Sequence, residues 1–344
     1  MNNLILVTGG TGYIGSHTVV ELMNEGYEVV IIDNLSNSRI EVLDGIESIT
    51  GKRPLFEQFD LTNQEKVKEF FKRYNKLSAI IHFAASKAVG ESVQKPLHYY
   101  YNNLNSLMNL LEGMTNHDVP IMVFSSSCTV YGEPDELPVT EEAPIKKANS
   151  PYGNTKQICE EIIQDTIKAN EKLSCISLRY FNPIGAHPTA RIGELPLGVP
   201  DNLVPYITQT AIGLRDELRV FGSDYNTPDG TPIRDYINVV DLARAHVVAI
   251  NRLLENNNIS SFEVFNLGTG NGHTVLEIIK TFESATGVKL KYKITGRRTG
   301  DVEKVYADTS LANEVLGWKA KISLEETLRS AWEWEKKYRN SIKN

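Results

Sequence analysis

Short apolar runs alternate with amphipathic stretches through the first half of the chain. The apolar runs predict strands at residues 4–8, 28–33, 54–59, 79–83, 121–125 and 174–179. Amphipathic stretches predict helices at residues 13–24, 62–74, 96–114 and 151–169, the last of which begins with proline. Strands that are apolar throughout are typical of a parallel sheet covered on both faces. The predicted fold class is therefore α/β, a Rossmann-type doubly wound parallel sheet.

The alternation breaks after Phe181. Residues 182–236 are rich in proline and predict loops, where a smaller C-terminal α/β domain begins. Further helices are predicted at 238–255, 274–286 and 323–338, with a strand at 262–267. Capping-box spacing occurs at Thr62/Glu65, Thr274/Glu277 and Ser323/Glu326. We expect a first domain of residues 1–180, to which a segment near 236–268 returns, and a second domain of residues 181–344.

Composition and charge exclude several classes of function. The 344 residues carry a net charge of −7, which disfavours binding to nucleic acid. No apolar run approaches the ~18 residues of a membrane span, and the N-terminus lacks the features of a signal peptide. The three cysteines are far apart and fit neither a disulfide framework nor a zinc site. We expect a cytoplasmic protein with no bound metal and no membrane or nucleic-acid partner.

A glycine-rich turn separates the first predicted strand from the first helix. Gly9, Gly12 and Gly15 would let the backbone approach a pyrophosphate, which the helix N-terminus then binds through its free N–H groups. Asp33 ends the second strand, where a carboxylate accepts hydrogen bonds from a ribose diol and repels a 2′-phosphate. The pattern predicts NAD rather than NADP. The predicted contacts here are Gly9, Gly12, Tyr13, Ile14, Gly15, Asp33 and Asn34.

Further cofactor contacts are predicted where later strands end, because open α/β sheets bind ligands at the carboxyl ends of their strands. Asp60 and Leu61 follow the third strand and are placed to meet an adenine. An aspartate that starts a helix explains Asp60 equally well. The remaining candidates are Phe83, Ala84, Lys87 and Asn102.

Tyr152 and Lys156 stand four residues apart on the fourth predicted helix, downstream of a serine run that ends at Ser127. A chain of this composition contains about one Tyr-Lys pair at this spacing by chance, so the context decides its meaning. A free phenol titrates near ~10, and a lysine ammonium one turn away favours the phenolate. With a dinucleotide nearby, the pair predicts removal of a hydroxyl proton together with hydride transfer from the same carbon.

These segments together resemble the extended short-chain dehydrogenase/reductases, and within them most closely the UDP-glucose 4-epimerases. The resemblance covers essentially the whole chain. Its segments lie at residues 7–17, 87–96, 125–132, 150–156, 179–188 and 234–236. The segments KAVGESVQKP (87–96) and RYFNPIGAHP (179–188) are the more specific to the epimerases.

The resemblance implies reversible C4 epimerisation of UDP-glucose and UDP-galactose through a 4-keto intermediate, with NAD held tightly. Tyr152 is then the base, Lys156 its partner, and Ser127 a hydrogen-bond partner of the reacting hydroxyl or of Tyr152. All three would contact NAD, and Ser127 and Tyr152 would also contact the substrate. Related dehydratases carry an acidic pair where this chain has Cys128 and Thr129, so elimination of water is disfavoured.

The resemblance also implies the substrate site. Its predicted contacts are Asn182, Asn202, Leu203, Phe221, Arg234, Arg298 and Val305. Arg234 and Arg298 would bind the pyrophosphate, although a solvated arginine is an open alternative for each. Phe181 would lie near the nicotinamide. His17 and His187 are expected to be structural.

Two finer expectations and two alternatives follow. Val305 aligns with a position that lines the C2 side of the sugar, so a small residue there would admit UDP-N-acetylhexosamines. Helices at 96–114 and 151–169 would form a homodimer. The alternatives are a 4-epimerase of another UDP-sugar, such as a glucuronate or a pentose, and a non-catalytic NAD-binding regulator.

Overall fold

Within residues 4–298 and 301–342, which the computed structural model describes, a seven-stranded parallel sheet forms the centre of the molecule. The strands are β1 (Leu4–Thr8), β2 (Glu28–Asp33), β3 (Leu55–Gln58), β4 (Ala79–His82), β5 (Ile121–Ser127), β6 (Ser174–Tyr180), β7 (Asn182–Ile184), β8 (Leu218–Phe221), β9 (Ile233–Asn238), β10 (Phe262–Leu267), β11 (Gly272–Thr274), β12 (Tyr292–Thr295) and β13 (Lys304–Val305). The helices are α1 (Tyr13–Asn24), α2 (Val42–Thr50), α3 (Gln64–Arg73), α4 (Val89–Gln94), α5 (Pro96–Asn116), α6 (Pro151–Ala169), α7 (Leu203–Ala211), α8 (Val239–Leu254), α9 (Val275–Thr286) and α10 (Leu324–Ser341).

The large sheet has the strand order β10-β6-β5-β4-β1-β2-β3, and its neighbouring strands are parallel. Alternate residues of each strand enter apolar clusters on opposite faces, for example Val7 and Ile81 on one face and Leu6 and Ile80 on the other. The predicted doubly wound parallel sheet is therefore confirmed. The chain runs from β1 outward to β3 and then crosses back to β4, so the loops after β1 and β4 meet at a switch point.

One predicted helix start is wrong. The helix expected from a Thr62/Glu65 capping box begins instead at Gln64, with Asn63 as the N-cap accepting from the backbone N–H of Lys66 at 3.1 Å. Thr62 donates its own N–H and hydroxyl to Asp60 at 2.8 and 2.7 Å. An aspartate two residues upstream thus captures the threonine in a turn. The capping boxes at Thr274 and Ser323 form as predicted.

Residues 182–236 contain regular elements where loops were predicted, namely β7, α7 and β8. Strand β9 pairs with β11 and β13 along its first half and with β7 along its second half. This small mixed sheet gathers three predicted substrate contacts, Asn182 on β7, Arg234 on β9 and Val305 on β13. The short helices α2 and α4 lie in segments for which no helix was predicted.

The strand after this region, β10, returns to the edge of the large sheet beside β6. Residues 4–298 and 301–342 contain no helix long and apolar enough to cross a membrane.

Candidate active site

The glycine turn after β1 leaves no room for side chains. Gly9 has a φ of +68°, and a Cβ there would lie 2.9 Å from the backbone nitrogen of Ala84, in the loop after β4. A Cβ on Gly15 would collide with the carbonyl oxygen of Gly9. Helix α1 begins at Tyr13 with no side-chain cap on Gly12 and no acidic residue in its first turn. The first N–H groups of α1 therefore have no side-chain cap, which is an arrangement that favours an anion.

Asp33 lies at the carboxyl end of β2, beside this turn, and is 9% exposed. It accepts hydrogen bonds from the backbone N–H groups of Thr11 at 3.2 Å and Leu35 at 2.9 Å, and from the Ser38 hydroxyl at 3.1 Å. Thr11 and Ser38 also bond to each other at 2.7 Å. The hydroxyls of Thr11 and Ser38 were not predicted from the sequence. Ser38 lies on an irregular segment, and only the fold brings that segment back to Asp33.

Asn34 and Asp60 join the ends of β2 and β3. The Asn34 amide donates to Asp60 at 2.8 Å. Burial alone would raise the pKa of Asp60, but the hydrogen bonds from Thr62 and Asn34 outweigh it and lower that pKa. Leu61 is buried, and its carbonyl oxygen accepts from Asn109 at 2.8 Å. Asp60 therefore takes part in a turn and remains a carboxylate at the sheet edge.

The loop after β4 carries Phe83, Ala84 and Lys87. Phe83 packs against the His246 ring with centroids 4.7 Å apart, and Ala84 N–H donates to the Thr8 hydroxyl at 3.3 Å. The loop is held mainly by a residue that was not predicted, Asn103.

Asn103 is 2% exposed and lies next to the predicted Asn102 on α5. Its side chain accepts from the N–H of Ser86 at 2.8 Å and donates to the carbonyl oxygen of Ser86 and to Thr155, both at 3.0 Å. Asn102 makes a longer bond of 3.3 Å to the Ser86 hydroxyl. Asn103 thus ties the Lys87 loop to helix α6. In the sequence, its place next to Asn102 was the feature that could have indicated this role.

Helix α6 presents Tyr152 and Lys156 to the end of β5. Ser150 caps the helix by accepting from Gly153 N–H at 3.1 Å, which places Tyr152 in the first turn. The Lys156 Nζ donates to the Ser125 carbonyl oxygen at 2.5 Å and lies 4.7 Å from the centre of the Phe124 ring. The Tyr180 hydroxyl donates to the Ser125 side chain.

Burial dominates the electrostatics of this centre in the protein by itself. Burial raises the pKa of Tyr152 to about 12, although a hydrogen bond with Ser127 favours the phenolate. Burial also lowers the pKa of Lys156 to about 8. That Lys156 favours the phenolate of Tyr152 stays a prediction. Desolvation of the phenolate is the larger effect, and the ammonium is bonded to Ser125.

Cys128 and Thr129 follow Ser127 in a 3-10 turn. Burial raises the pKa of the Cys128 thiol to about 12, so the thiol is neutral and a poor nucleophile at pH 7. The Thr129 hydroxyl donates to Ser127 at 3.0 Å. Neither side chain is an acid that could protonate a leaving hydroxyl.

Three predicted substrate residues lie on the small sheet, and two of the predicted substrate residues already have carboxylate partners. Arg234 is ion-paired with Asp301 and donates to the Ile233 carbonyl oxygen at 2.7 Å. The Asn202 amide donates to Glu194 at 2.6 Å, just before α7 begins at Leu203.

The other substrate candidates are more open. Phe221 is 39% exposed at the end of β8. The Arg298 guanidinium is exposed, and its Nη2 would lie 3.7 Å from a Cβ on Gly90 in α4. Val305 is partly buried and packs against a cluster that contains the buried Phe181. His17 is buried on α1, and burial lowers its pKa to about 3, consistent with a neutral structural histidine.

Comparison with known proteins gives consistent matches over nearly the whole chain. Residues 6–331 match the family model described as GDP-mannose 4,6 dehydratase. The chain is 50% identical to UDP-glucose 4-epimerase of Bacillus subtilis, over 99% of both sequences.

Two solved structures are also similar. The UDP-glucose 4-epimerase of Stenotrophomonas maltophila, solved with NAD and formylated UDP-arabinopyranose, has a TM-score of 0.94 at 46% identity and covers 98% of this chain and 99% of its own. The enzyme from Bifidobacterium longum, in complex with NAD+ and UDP, has a TM-score of 0.93 at 45% identity, with the same coverage.

Proposed function

Because this chain belongs to the UDP-glucose 4-epimerase family of extended short-chain dehydrogenase/reductases, we propose that Tyr152, Lys156 and Ser127 form its catalytic centre. The protein is an NAD-dependent isomerase that interconverts UDP-glucose and UDP-galactose at C4. The observation that carries the proposal is the placement of Tyr152 and Lys156 on α6 against the end of β5, where Lys156 Nζ donates to the Ser125 carbonyl oxygen at 2.5 Å, with the glycine turn at the neighbouring switch point.

The chemistry that NAD supplies when bound is acceptance of a hydride from C4, its return to the other face of the 4-keto sugar, and a positive charge near Tyr152. The tight turn of Gly9, Gly12 and Gly15 and the open N–H groups of α1 support pyrophosphate binding there. Asp33, already surrounded by donors, supports recognition of the adenosine ribose. Residues 1–180 with 236–268 would form the NAD domain, and 181–344 the UDP-sugar domain.

Tyr152 takes the proton from the sugar 4-hydroxyl in the oxidation half of the cycle and returns it in the reduction half. Moving its pKa from about 12 to near neutrality needs ~7 kcal/mol of preferential phenolate stabilisation. Ser127 supplies a part through its hydrogen bond, and the charged form of Lys156 supplies another. The positive charge of bound NAD would supply a further part.

The nucleotide must stay anchored while the keto sugar turns. Arg234 and Arg298 are suited to the diphosphate because guanidinium groups bind it bidentately. Arg234 would exchange its Asp301 partner for phosphate, and Asn202 would exchange Glu194 for the substrate. Asn182, Leu203 and Phe221 complete the proposed contacts around the sugar and the uridine.

Val305 supports a second substrate class. Its side chain is small and lies on the edge strand β13 beside Arg234 on β9. A valine leaves space on the C2 side of the sugar that an aromatic residue would fill, so UDP-N-acetylhexosamines are included as proposed substrates.

The proposed assembly is a homodimer through α5 and α6. Three apolar residues on α5 are exposed, Leu97 by 81%, Tyr101 by 64% and Met108 by 43%. Their spacing places them along one side of the helix. A cavity of about 260 Å³ lies between Met108 on α5 and Ile162 on α6. A second copy would cover this apolar face.

The three unpaired cysteines suit the proposed cytoplasmic location.

The proposal is tested with UDP-galactose and purified protein without added NAD, in deuterated water. We expect UDP-glucose with no deuterium at C4, since the hydride never exchanges with solvent. Tyr152→Phe should lose turnover by about 100-fold or more while it retains bound NAD. Solvent label at C4, a 4-keto-6-deoxy product or normal turnover in Tyr152→Phe would each contradict it.

A further inference from the structure

A buried ion pair ties the catalytic helix to the sheet one turn beyond Lys156. Glu160 and Arg179 are 4% and 5% exposed. The guanidinium donates to both carboxylate oxygens, from Nε at 3.1 Å and from Nη2 at 2.6 Å. The hydroxyls of Ser126 and Ser177 donate to the same carboxylate at 2.6 and 2.7 Å. Glu160 therefore joins α6 to both β5 and β6.

Arg179 continues the network away from the helix. Its Nη1 donates to the Tyr131 hydroxyl at 3.0 Å, which in turn donates to Asn266 on β10 at 2.7 Å. Burying two charges has a desolvation cost that well-packed apolar residues of similar volume avoid. Stability alone is therefore a weak reason for this pair, and its place beside the catalytic turn points to another.

We propose that the Glu160–Arg179 pair is a positioning element for catalysis, which fixes the turn of α6 that carries Lys156 and thereby holds the Lys156 ammonium at the Ser125 carbonyl oxygen beside Tyr152. The inference rests on the catalytic roles proposed for Tyr152 and Lys156. Lys156 and Glu160 are four residues apart and share one face of the helix. Their partners on β5, Ser125 and Ser126, are consecutive, so two bonds clamp one helical turn to one stretch of strand.

The Glu160 carboxylate of this pair also acts on the charge of Lys156. The groups that interact with Lys156 are His82 on β4, Phe124 and Ser125 on β5, and Cys159 and Glu160 on its own helix. Tyr180 on β6 donates to the side chain of the same Ser125. Burial lowers the pKa of His82 to about 3 and raises that of Cys159 to about 12, so both are neutral at pH 7. Burial lowers the pKa of Lys156, and Glu160 opposes that effect.

A second buried pair provides a matched control. Arg252 on α8 donates to Glu263 on β10 through Nε at 2.8 Å and Nη2 at 2.9 Å, with side chains 11% and 8% exposed. Its further hydrogen bonds are with the Val315 carbonyl oxygen at 3.0 Å and the Ile259 N–H at 2.8 Å, and neither residue is on α6. The test compares the double variant Glu160→Leu/Arg179→Met with Glu263→Leu/Arg252→Met, using circular dichroism and bound NAD content to check folding.

We expect kcat of the first double variant to fall about tenfold or more while KM stays within about twofold, because misplacement acts on the chemical step. The alkaline limb of its log kcat profile should move to lower pH. Without the Glu160 carboxylate, the pKa of Lys156 falls and the ammonium loses its proton at lower pH. The control pair should leave both unchanged. Equal losses of kcat in the two double variants, or an unmoved alkaline limb, would overturn the proposal.

Glu160→Gln tests the charge separately and serves if the double variant does not fold. The amide oxygen can still accept from Ser126, so a smaller loss of kcat with the same shift of the alkaline limb is expected. An unshifted limb in Glu160→Gln contradicts the proposal. Tyr152→Phe in the same assay separates the two ideas, because its normal turnover would refute the catalytic centre itself.

Discussion

Replacing Lys156 with methionine should abolish activity and stabilise the fold. Lys156 is only 4% exposed on the buried face of α6. Its ammonium donates to the carbonyl oxygen of Ser125. Methionine has a similar length and helix propensity, so the helix itself should be little changed. The predicted gain in stability arises because a buried ammonium is desolvated, whereas a thioether is not.

The magnitude follows from the pKa of Lys156, which is about 8 instead of its ordinary 10.5. This shift of about 2.5 units corresponds to ~3 kcal/mol of cost for keeping the charge in the fold. Methionine leaves the Ser125 carbonyl oxygen without its donor, which costs about 1 kcal/mol. The free energy of unfolding should therefore rise by ~2 kcal/mol at pH 7.

The pH dependence gives a sharper test, because its sign is determined. Between pH 8 and 10.5 the unfolded chain keeps the Lys156 proton while the fold has lost it. The contribution of Lys156 to the free energy of unfolding of the wild type therefore rises with pH across that window, and it falls again as the pH is lowered towards 8. The advantage of the methionine variant should be full at pH 7 and should disappear by about pH 10.5.

Urea unfolding followed by circular dichroism at pH 7 and pH 10 measures both effects. Lys168→Met is the matched control, since Lys168 lies on the same helix with a side chain 73% exposed. It should change neither stability nor turnover appreciably. A Lys156→Met protein that is less stable than wild type at pH 7, or whose stability difference is the same at both pH values, would refute the reasoning.

Three further changes probe the rest of the proposed function. Gly15→Ala should lose bound NAD, measured by absorbance after denaturation, because the new Cβ collides with backbone; Gly296→Ala, with open space around it, should not. Val305→Tyr should reduce turnover of UDP-N-acetylglucosamine about tenfold or more and spare UDP-glucose. The double variant Leu97→Glu/Tyr101→Glu should sediment as a monomer, since it puts charge in the proposed interface.

Each of these has a result that counts against it. Wild-type NAD content in Gly15→Ala would remove the glycine turn from the cofactor site. Equal losses with both sugars in Val305→Tyr would mean that the residue does not discriminate at C2. Ile259→Glu controls for charge on an equally exposed apolar residue, 81% accessible and far from α5 in sequence. If it dissociates the protein as well, or the α5 variant stays dimeric, that face is not the interface.

The local pattern of residues predicted most of the large sheet. Strands β1, β2 and β10 begin and end where apolar runs do, because buried parallel strands need continuous apolar sequence. The capping boxes at Thr274 and Ser323 formed for the same local reason. Thr62 failed because Asp60, two residues away, competed for its donors, and spacing alone does not rank such competitors.

The sequence by itself predicted NAD from the glycine turn and Asp33, and its resemblance to the epimerases implied the reaction and the roles of Tyr152 and Lys156. Only the tertiary structure decided how those groups are charged and held. Burial moved the pKa of Tyr152 upward, and hydrogen bonds formed in the fold tied Asn103 to Ser86, Ser38 to Asp33 and Glu160 to Ser126. Desolvation and long-range hydrogen bonds depend on which segments meet, and the order of residues alone does not specify that.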